Sequence, residues 1–339
     1  MRLIKTEDAV GHVLCHDMTQ IIKDQYKDAR FRKGHVVTEE DIPVLLSMGK
    51  AHLYVWEMTP GMVHENDAAE RLLALCGQEN MIRSGVKEGK IELKAACDGV
   101  FLVDSARLVA VNSQDEVMIA TRKGGTAVRE GDKLAGMRVI PLIIEEEKLR
   151  KAEQAAGDKP LLSLKPYVRK TACIVATGGE VKKGLIKDTF TPVVIDKLKT
   201  YGIETLEVVY SGDGVENVRD AVLTMREKKP DMILCTGGMS VDPDDNTPGG
   251  IKAAGANIIA YGAPVLPGAM FLLGYFDDGM PVMGLPGCVM YAGATVFDLV
   301  LPKIAADVPV TRADLAALGE GGLCLGCKPC HYPICPFGK

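Results

Sequence analysis

From residue 171 to about 308 the chain alternates between two hydrophobic periods, and this alternation limits the possible folds more than any other feature of the sequence. The runs 'ACIVA', 'ETLEVVY', 'DMILC', 'ANIIAY' and 'MPVMGL' are short and largely apolar, as buried strands are. Between several of them lie amphipathic stretches with helical spacing, such as 'TPVVIDKLKTYG' and 'VENVRDAVLTMREKK'. Strands that alternate with helices pair in parallel through crossover connections. The expected fold class is therefore α/β: an open, mostly parallel sheet with helices on both faces. Ligands of such sheets sit at the carboxyl ends of the strands. The glycine-rich segments fall there: 'TGGE' after 'ACIVA', 'TGGMS' after 'DMILC' and 'LPGC' after 'PVMG'.

The second of these loops, 'LCTGGMSVDPDDNTPGG', places bare backbone beside Asp242, Asp244 and Asp245. Glycines let backbone N–H groups approach a phosphate, and carboxylates are hard oxygen ligands for Mg²⁺, so the loop suggests a phosphorylated ligand with a divalent cation. Asp242 and Asp244 read as solvated turn or capping groups, which leaves Asp245 as the carboxylate of interest. 'KDTFTP' and 'DDNTP' each put a threonine before a proline, a pattern that predicts helix N-caps at Thr191 and Thr247. Helix N-termini favour anions. A single Thr-Gly-Gly is a common turn; several such loops at the ends of successive strands point to one anion site.

At 339 residues the chain calls for two or three domains. A net charge of -5 and a pI near 5.8, with no basic stripe, argue against non-specific nucleic-acid or membrane-surface binding. The start 'MRLIKTEDAVGHVL' lacks the apolar core of a signal peptide, and prolines and glycines break 'NIIAYGAPVLPGAMFLLGYF' as a membrane span. The expectation is a cytoplasmic protein with reduced thiols, in which Cys173 and Cys235 are small core residues. The histidines at positions 12, 16, 35, 52 and 64 lack ligand spacing and are assigned no role.

Before residue 171 the pattern differs. Residues 1–57 form a short mixed unit, with a capping box from Thr38 to Asp41 and a strand at 'HLYVWE'. Residues 58–150 form a small α+β, β-rich domain. It opens with a helix at 'NDAAERLLALCG' capped by Asn66 and continues with strands at 'KIELKA', 'EVMIAT' and 'MRVIPLII'. Residues 151–170 read as a connector, following a charged helix 'EEEKLRKAEQAAGDKP' that stops at Gly157. After the α/β domain of 171–310 comes a tail, 311–339, in which Cys324, Cys327, Cys330 and Cys335 form a C-x2-C-x2-C-x4-C run followed by Pro336. A short segment of this kind needs a staple to fold, and an iron–sulfur cluster or a structural Zn²⁺ would serve; redox-sensing thiols are the third reading.

Four segments, 'IVATGGEVKKGLIKD', 'SGDGVENVRDAV', 'ILCTGGMSVDPDDNTP' and 'PVMGLPGCVMYAGATVFDLVLP', follow in order the motifs of the molybdopterin-binding domain shared by molybdenum cofactor biosynthesis proteins, which this region resembles from 171 to about 305. 'EDAVGHVLCHDM' and 'FRKGHVVTEEDIPVLLSMG' resemble two pieces of the MoeA-type molybdopterin molybdenumtransferase. 'TGGMSV' and 'GLPG' lean toward that branch, whereas 'DDNTP' resembles the adenylyltransferase branch. The resemblance implies that Glu180, Asp213 and Asp245 are the acidic residues of the cleft, with Asp188 behind the first loop. It makes Thr177, Gly178, Gly179, Thr236, Gly237, Gly238, Ser240, Thr247, Pro286 and Gly287 the cradle of the pterin phosphate, and Asp245 with Asp213 the holders of Mg²⁺.

The expected function is molybdopterin binding with Mg²⁺-dependent transfer chemistry, either molybdenum insertion or adenylyl transfer, with ATP, AMP or molybdate as the second partner and a homo-oligomeric state. The molybdenumtransferase segment Ser-x-Met-Asp-Gly-Tyr-Ala is absent, which favours a rival: a non-catalytic carrier or sensor of the cofactor that docks a molybdoenzyme. A nucleotide pyrophosphatase of the competence-damage type is the third alternative.

Overall fold

The computed structural model describes residues 2–22, 26–55, 60–243 and 245–339; for residues 22, 26, 27 and 180 it describes the backbone alone. The chain forms two compact units. The first comprises Met1–Ala96, Val103–Gly124 and Gly131–Ser163, and the second Cys97–Leu102, Gly125–Glu130 and Leu164–Lys339. The last passage from the first unit to the second, between Ser163 and Leu164, falls within the expected connector at 151–170. Two six-residue segments from within the first unit's span of sequence belong to the second. None of the described helices is long and apolar enough to cross a membrane.

In the first unit, strands Arg2–Lys5 and His52–Val55 pair antiparallel over a small core of Leu14, Phe31, Leu45, Leu53 and Val55. Beyond it, Met81–Arg83, Ile91–Ala95, Lys133–Val139 and Val117–Thr121 form a four-stranded antiparallel sheet in that spatial order. Ile91, Leu93 and Ala95 are buried on alternate positions, as a sheet with one covered face requires. The charged helix Glu146–Ala156 forms, buries Leu149, Ala152 and Ala156 on one stripe, and ends at Gly157 with φ 64°.

The helix Glu65–Leu75 is capped by His64, not Asn66. The His64 Nε2–H donates to the Cys15 carbonyl at 2.7 Å, and Nδ1 lies 3.2 Å from both the Asn66 N–H and Lys33 Nζ. An imidazole that donates at one nitrogen and accepts at the other is neutral. Burial first of all, and also the Lys33 ammonium, hold its pKa below the ordinary value, against the Cys15 hydrogen bond and Asp67.

The second unit contains a three-stranded sheet of Thr126–Val128, Gly99–Val103 and Leu162–Pro166, in that spatial order, and a six-stranded sheet. The larger sheet is built from β1 (Thr171–Thr177), β2 (Glu204–Ser211), β3 (Met232–Thr236), β4 (Asn257–Tyr261), β5 (Leu272–Tyr275) and β6 (Pro281–Leu285). Its spatial order is β2-β1-β3-β6-β5-β4: the first four strands are parallel, and β5 pairs antiparallel with both β6 and β4. Its helices are α1 (Gly179–Lys182), α2 (Phe190–Lys199), α3 (Val215–Glu227), α4 (Thr247–Ala253), α5 (Val296–Ala305) and α6 (Arg312–Ala317). Because successive residues of a strand face opposite ways, Ala172 and Ile174 join Val194, Leu198, Val300 and Ile304 of α2 and α5 in one core layer. Cys173 and Val175 join Val218, Val222 and Ile251 of α3 and α4 in the other. The fold is α/β with both sheet faces covered, and Cys173 and Cys235 are core residues.

The tail departs from expectation. It is held by packing: Phe337 is 3% exposed in the α/β core, the Tyr332 hydroxyl donates to the Asp298 carbonyl at 2.9 Å, and the Cys324 N–H donates to the Leu266 carbonyl at 2.8 Å. Cys324 and Cys335 lie partly buried against the core, while Cys327 and Cys330 are exposed. The segment thus draws on the core of its neighbour for part of its packing.

Candidate functional site

From β1 the chain runs out to β2 on one side of the sheet, then returns to β3 on the other side of β1. Such a reversal opens a crevice at the carboxyl ends of the two inner strands. The register pairs Ala176 with Thr236 and Thr236 with Leu285, which brings the three glycine-rich loops after β1, β3 and β6 side by side.

Threonine hydroxyls join the first two loops. Thr177 Oγ1 donates to the Thr236 carbonyl at 2.9 Å and lies 3.1 Å from Thr247 Oγ1, which donates to the Gly237 carbonyl at 2.9 Å. Thr247 is thus the first residue of α4 and not its N-cap, because its hydroxyl is committed to the preceding loop. Gly237 and Gly238 have φ 80° and 56°, and a Cβ on Gly238 would stand 2.8 Å from Thr247 Oγ1, so neither position admits a side chain without strain. The N–H groups of Gly238, Met239 and Ser240 meet no acceptor among the described residues. From β4 the Tyr261 hydroxyl braces this loop through the Met239 carbonyl at 2.8 Å and the Ser240 carbonyl at 3.3 Å.

The first loop is tied to the end of β2. The Gly178 N–H donates to the Ser211 carbonyl at 3.3 Å, and the Gly179 N–H donates to Asp213 Oδ2 at 3.1 Å. Glu180 continues α1, and its side chain lies outside the described residues. Asp188 accepts from the Phe190 and Thr191 N–H groups at 2.9 and 3.0 Å and from the Tyr210 hydroxyl at 3.2 Å. α2 starts at Phe190 with Thr189 at the N-cap position, so Thr191 is not the cap, and the Asp188 side chain, one residue further out, satisfies the first N–H groups. Burial works against its charge, but the hydrogen bonds from Thr191, Phe190 and Tyr210 outweigh it and hold the carboxyl below the usual range.

Asp245 and Asp242 close a turn on each other: the Asp245 N–H donates to the Asp242 carbonyl at 2.9 Å, and the Asp242 N–H donates to Asp245 Oδ2 at 3.3 Å. Asp244 lies outside the described residues. Asp213 and Asp245 thus each have a carboxylate oxygen engaged with backbone. Among the described residues no three His, Cys, Asp or Glu side chains converge as a metal group, either at this edge or among Cys324, Cys327, Cys330 and Cys335. A cation at the loops would have to draw much of its coordination from its ligand's phosphate, as Mg²⁺ commonly does.

In the third loop, Pro286 leads into a tight turn, Gly287–Met290, anchored by Val289, which is fully buried. A Cβ on Gly287 would meet nothing within 4 Å. The Thr189 hydroxyl contacts Met290 Sδ at 3.1 Å and connects this loop to the first. The sequence pattern pointed to the glycines and the resemblance to Asp213; neither pointed to Tyr261 or Tyr210, whose hydroxyls bond the second loop and Asp188. A tyrosine at the end or edge of a strand is an ordinary β residue, and only the three-dimensional arrangement shows what its hydroxyl holds.

Residues 173–306 match the model of a family described as "Probable molybdopterin binding domain", and the α/β unit carries that family's domain. Residues 3–57 match a second model, described as "Domain of unknown function (DUF8806)". The chain is similar to a CinA-like protein of Mycobacterium tuberculosis, 33% identical over 76 residues, which is 22% of this chain and 18% of the relative. It is similarly 32% identical over 76 residues to a CinA-like protein of Petrotoga mobilis, covering 22% of this chain and 19% of that one. The matches thus span under a fifth of these relatives' length. Among solved structures, the molybdopterin biosynthesis enzyme MoaB of Thermus thermophilus is 16% identical over 42% of this chain and 98% of its own, with a TM-score of 0.36. The protein CinA of Thermoplasma acidophilum is 18% identical over 40% and 98%, with a TM-score of 0.34.

Proposed function

We propose that the α/β unit binds molybdopterin by its phosphate in the cradle formed by the loops after β1, β3 and β6, and holds it for a transfer step of molybdenum cofactor biosynthesis. The observation that carries this reading is the second loop: positive-φ glycines and N–H groups that meet no acceptor among the described residues, in a loop fixed from behind by Thr177, Thr247 and Tyr261. A loop fixed in advance binds an oxyanion without reorganising, which is the condition under which backbone donors stabilise charge best. Thr177, Thr236 and Thr247 shape the cradle; Gly237, Gly238, Ser240 and Gly287 face the ligand with backbone, while Gly178 and Gly179 hold the first loop to Ser211 and Asp213.

In the transfer reading, Asp245 and Asp213 hold Mg²⁺ together with the pterin phosphate, where the ion neutralises phosphate charge. The second partner is ATP or molybdate. The non-catalytic carrier is favoured by one specific observation, the engagement of both carboxylates with backbone N–H groups. Anaerobic incubation with molybdopterin, Mg²⁺ and ATP separates the two. Adenylylated pterin, lost in Asp245→Asn while binding persists, supports the enzyme; binding without turnover on ATP or molybdate supports the carrier. Absence of molybdopterin binding ends both.

A further inference from the structure

The α/β unit exposes large apolar side chains where a phosphate site alone has no use for them. Leu185 and Ile186 are 71% and 57% exposed in the loop after β1, Val241 83% in the loop after β3, and Tyr291 77% just past the turn after β6. These are the loops of the cradle, and their strands are neighbours in the sheet. Exposed apolar residues scattered singly carry no message, whereas a group of them around a polar site does.

Tyr291 differs from the other tyrosines of this unit. Tyr167, Tyr210, Tyr261 and Tyr332 donate their hydroxyls to protein oxygens, the Tyr275 hydroxyl accepts the Val310 N–H, and the Tyr201 ring packs edge-on against Tyr167 at 5.2 Å. Among the described residues the Tyr291 side chain makes no hydrogen bond and no ring contact, although its backbone is fixed. The Tyr291 N–H donates to the Cys288 carbonyl at 3.2 Å, the Ala292 N–H donates to the same carbonyl at 2.9 Å, and the turn hangs on buried Val289. An exposed ring on a fixed base, four residues from Gly287, loses little freedom when a flat partner covers it.

We infer that Tyr291 is the residue that recognises the ligand's ring: the heteroaromatic body of a phosphate monoester stacks on its face, with Leu185, Ile186 and Val241 as apolar walls. This rests on the cradle reading and adds to it the residue that holds the ring. The site selects a phosphate that carries a flat heterocycle over inorganic phosphate or a sugar phosphate. Stacking needs the ring and not the hydroxyl, so Tyr291→Phe and Tyr291→Ala part company.

The test is anaerobic fluorescence titration of the full chain with molybdopterin, alongside competition by inorganic phosphate, with circular dichroism as the check on folding. Tyr291→Ala is expected to weaken molybdopterin about tenfold or more, Tyr291→Phe to stay within about twofold, and phosphate competition to be unchanged in both. Equal molybdopterin affinity in Tyr291→Ala and parent overturns the inference. So does an equal loss in Ala and Phe, which assigns the effect to the hydroxyl. A Gly287→Val variant separates the two levels. If it loses binding while Tyr291→Ala keeps it, the cradle stands and the ring site falls. If the parent binds no molybdopterin, both fall.

Discussion

A Cβ on Gly287 meets nothing within 4 Å, and the backbone there is not in the left-handed region, so the protein itself does not require a glycine at this position. Gly287→Val should leave the urea midpoint of the α/β unit unchanged and cut molybdopterin affinity sharply, because the branched side chain fills only the cradle. Gly238→Val is a poorer probe: at φ 56° and against Thr247 Oγ1 it disturbs the loop as well as the ligand. Ordinary affinity in Gly287→Val would remove the third loop from the site.

His64 in the first unit makes a second prediction at this scale. Its folded pKa is depressed below the 6.5 of a free imidazole, chiefly by burial, and its Nδ1 already faces the Asn66 N–H and the Lys33 ammonium. In the window below 6.5 the unfolded chain therefore takes up more protons than the folded one, and stability falls as pH drops. Burial depresses His16 as well, with the same sign; Glu65, raised above 4.5 by burial, acts in the opposite direction. The melting midpoint of the first unit should fall between about pH 7.5 and pH 6, and fall less in His64→Gln, which isolates this imidazole from its neighbours. Identical slopes in the two proteins would assign the effect elsewhere.

At the scale of elements, the start of α4 carries the connection between the first two loops. Thr247 is 1% exposed and its hydroxyl faces both Thr177 Oγ1 and the Gly237 carbonyl. Thr247→Val keeps the shape and strands two partners, so a loss of about 1–3 kcal/mol in urea unfolding is expected, together with weaker ligand binding. A neutral substitution would mean that water replaces the hydroxyl. This element also shows how far the sequence can be read. The period change of residues 171–308 and the glycines after each apolar run were enough to place β1, β3 and the loops that follow them, because burial and turn chemistry are local signals. The helix caps were not legible. Thr191-Pro192 and Thr247-Pro248 look alike in sequence, yet Asp188 serves the first N–H groups of one helix, while the hydroxyl of Thr247 turns back to Gly237 and faces Thr177. The Thr177 contact joins residues 70 apart in the chain, and nothing within a few residues of Thr247 records it.

On the scale of the whole molecule, the tail belongs to the core of the α/β unit. Phe337 is 3% exposed among α5 and its neighbours, so Phe337→Ala should cost about 3–5 kcal/mol, and truncation after Gly319 at least as much, in an unfolding experiment that follows the α/β unit. Conversion of the exposed Cys327 and Cys330 to serine should cost little, since neither packs into the core. Full stability after truncation would show that the tail's contacts are incidental. The four cysteines in sequence suggested a self-contained staple; the buried phenylalanine two residues after Cys335 was the signal that the segment leans on something larger.

The second unit takes two short pieces of chain, Cys97–Leu102 and Gly125–Glu130, from the middle of the first unit's span, and both supply strands to the sheet that contains Leu162–Pro166. The polypeptide consequently passes from one unit to the other five times, and no single cut separates them. A fragment begun at residue 164 would keep the family-matched stretch yet leave strand Leu162–Pro166 truncated and without its partner Gly99–Val103, exposing a bare row of backbone donors and acceptors that invites aggregation. Ribosomal synthesis meets the same geometry: strands Gly99–Val103 and Thr126–Val128 can pair with each other as they emerge, but the far edge of Gly99–Val103 stays open until Leu162–Pro166 follows. Dissection of this protein into pieces that behave like the whole therefore calls for point substitution or for rejoining the chain in a new order, because the order in which its residues are strung is not the order in which its parts are built.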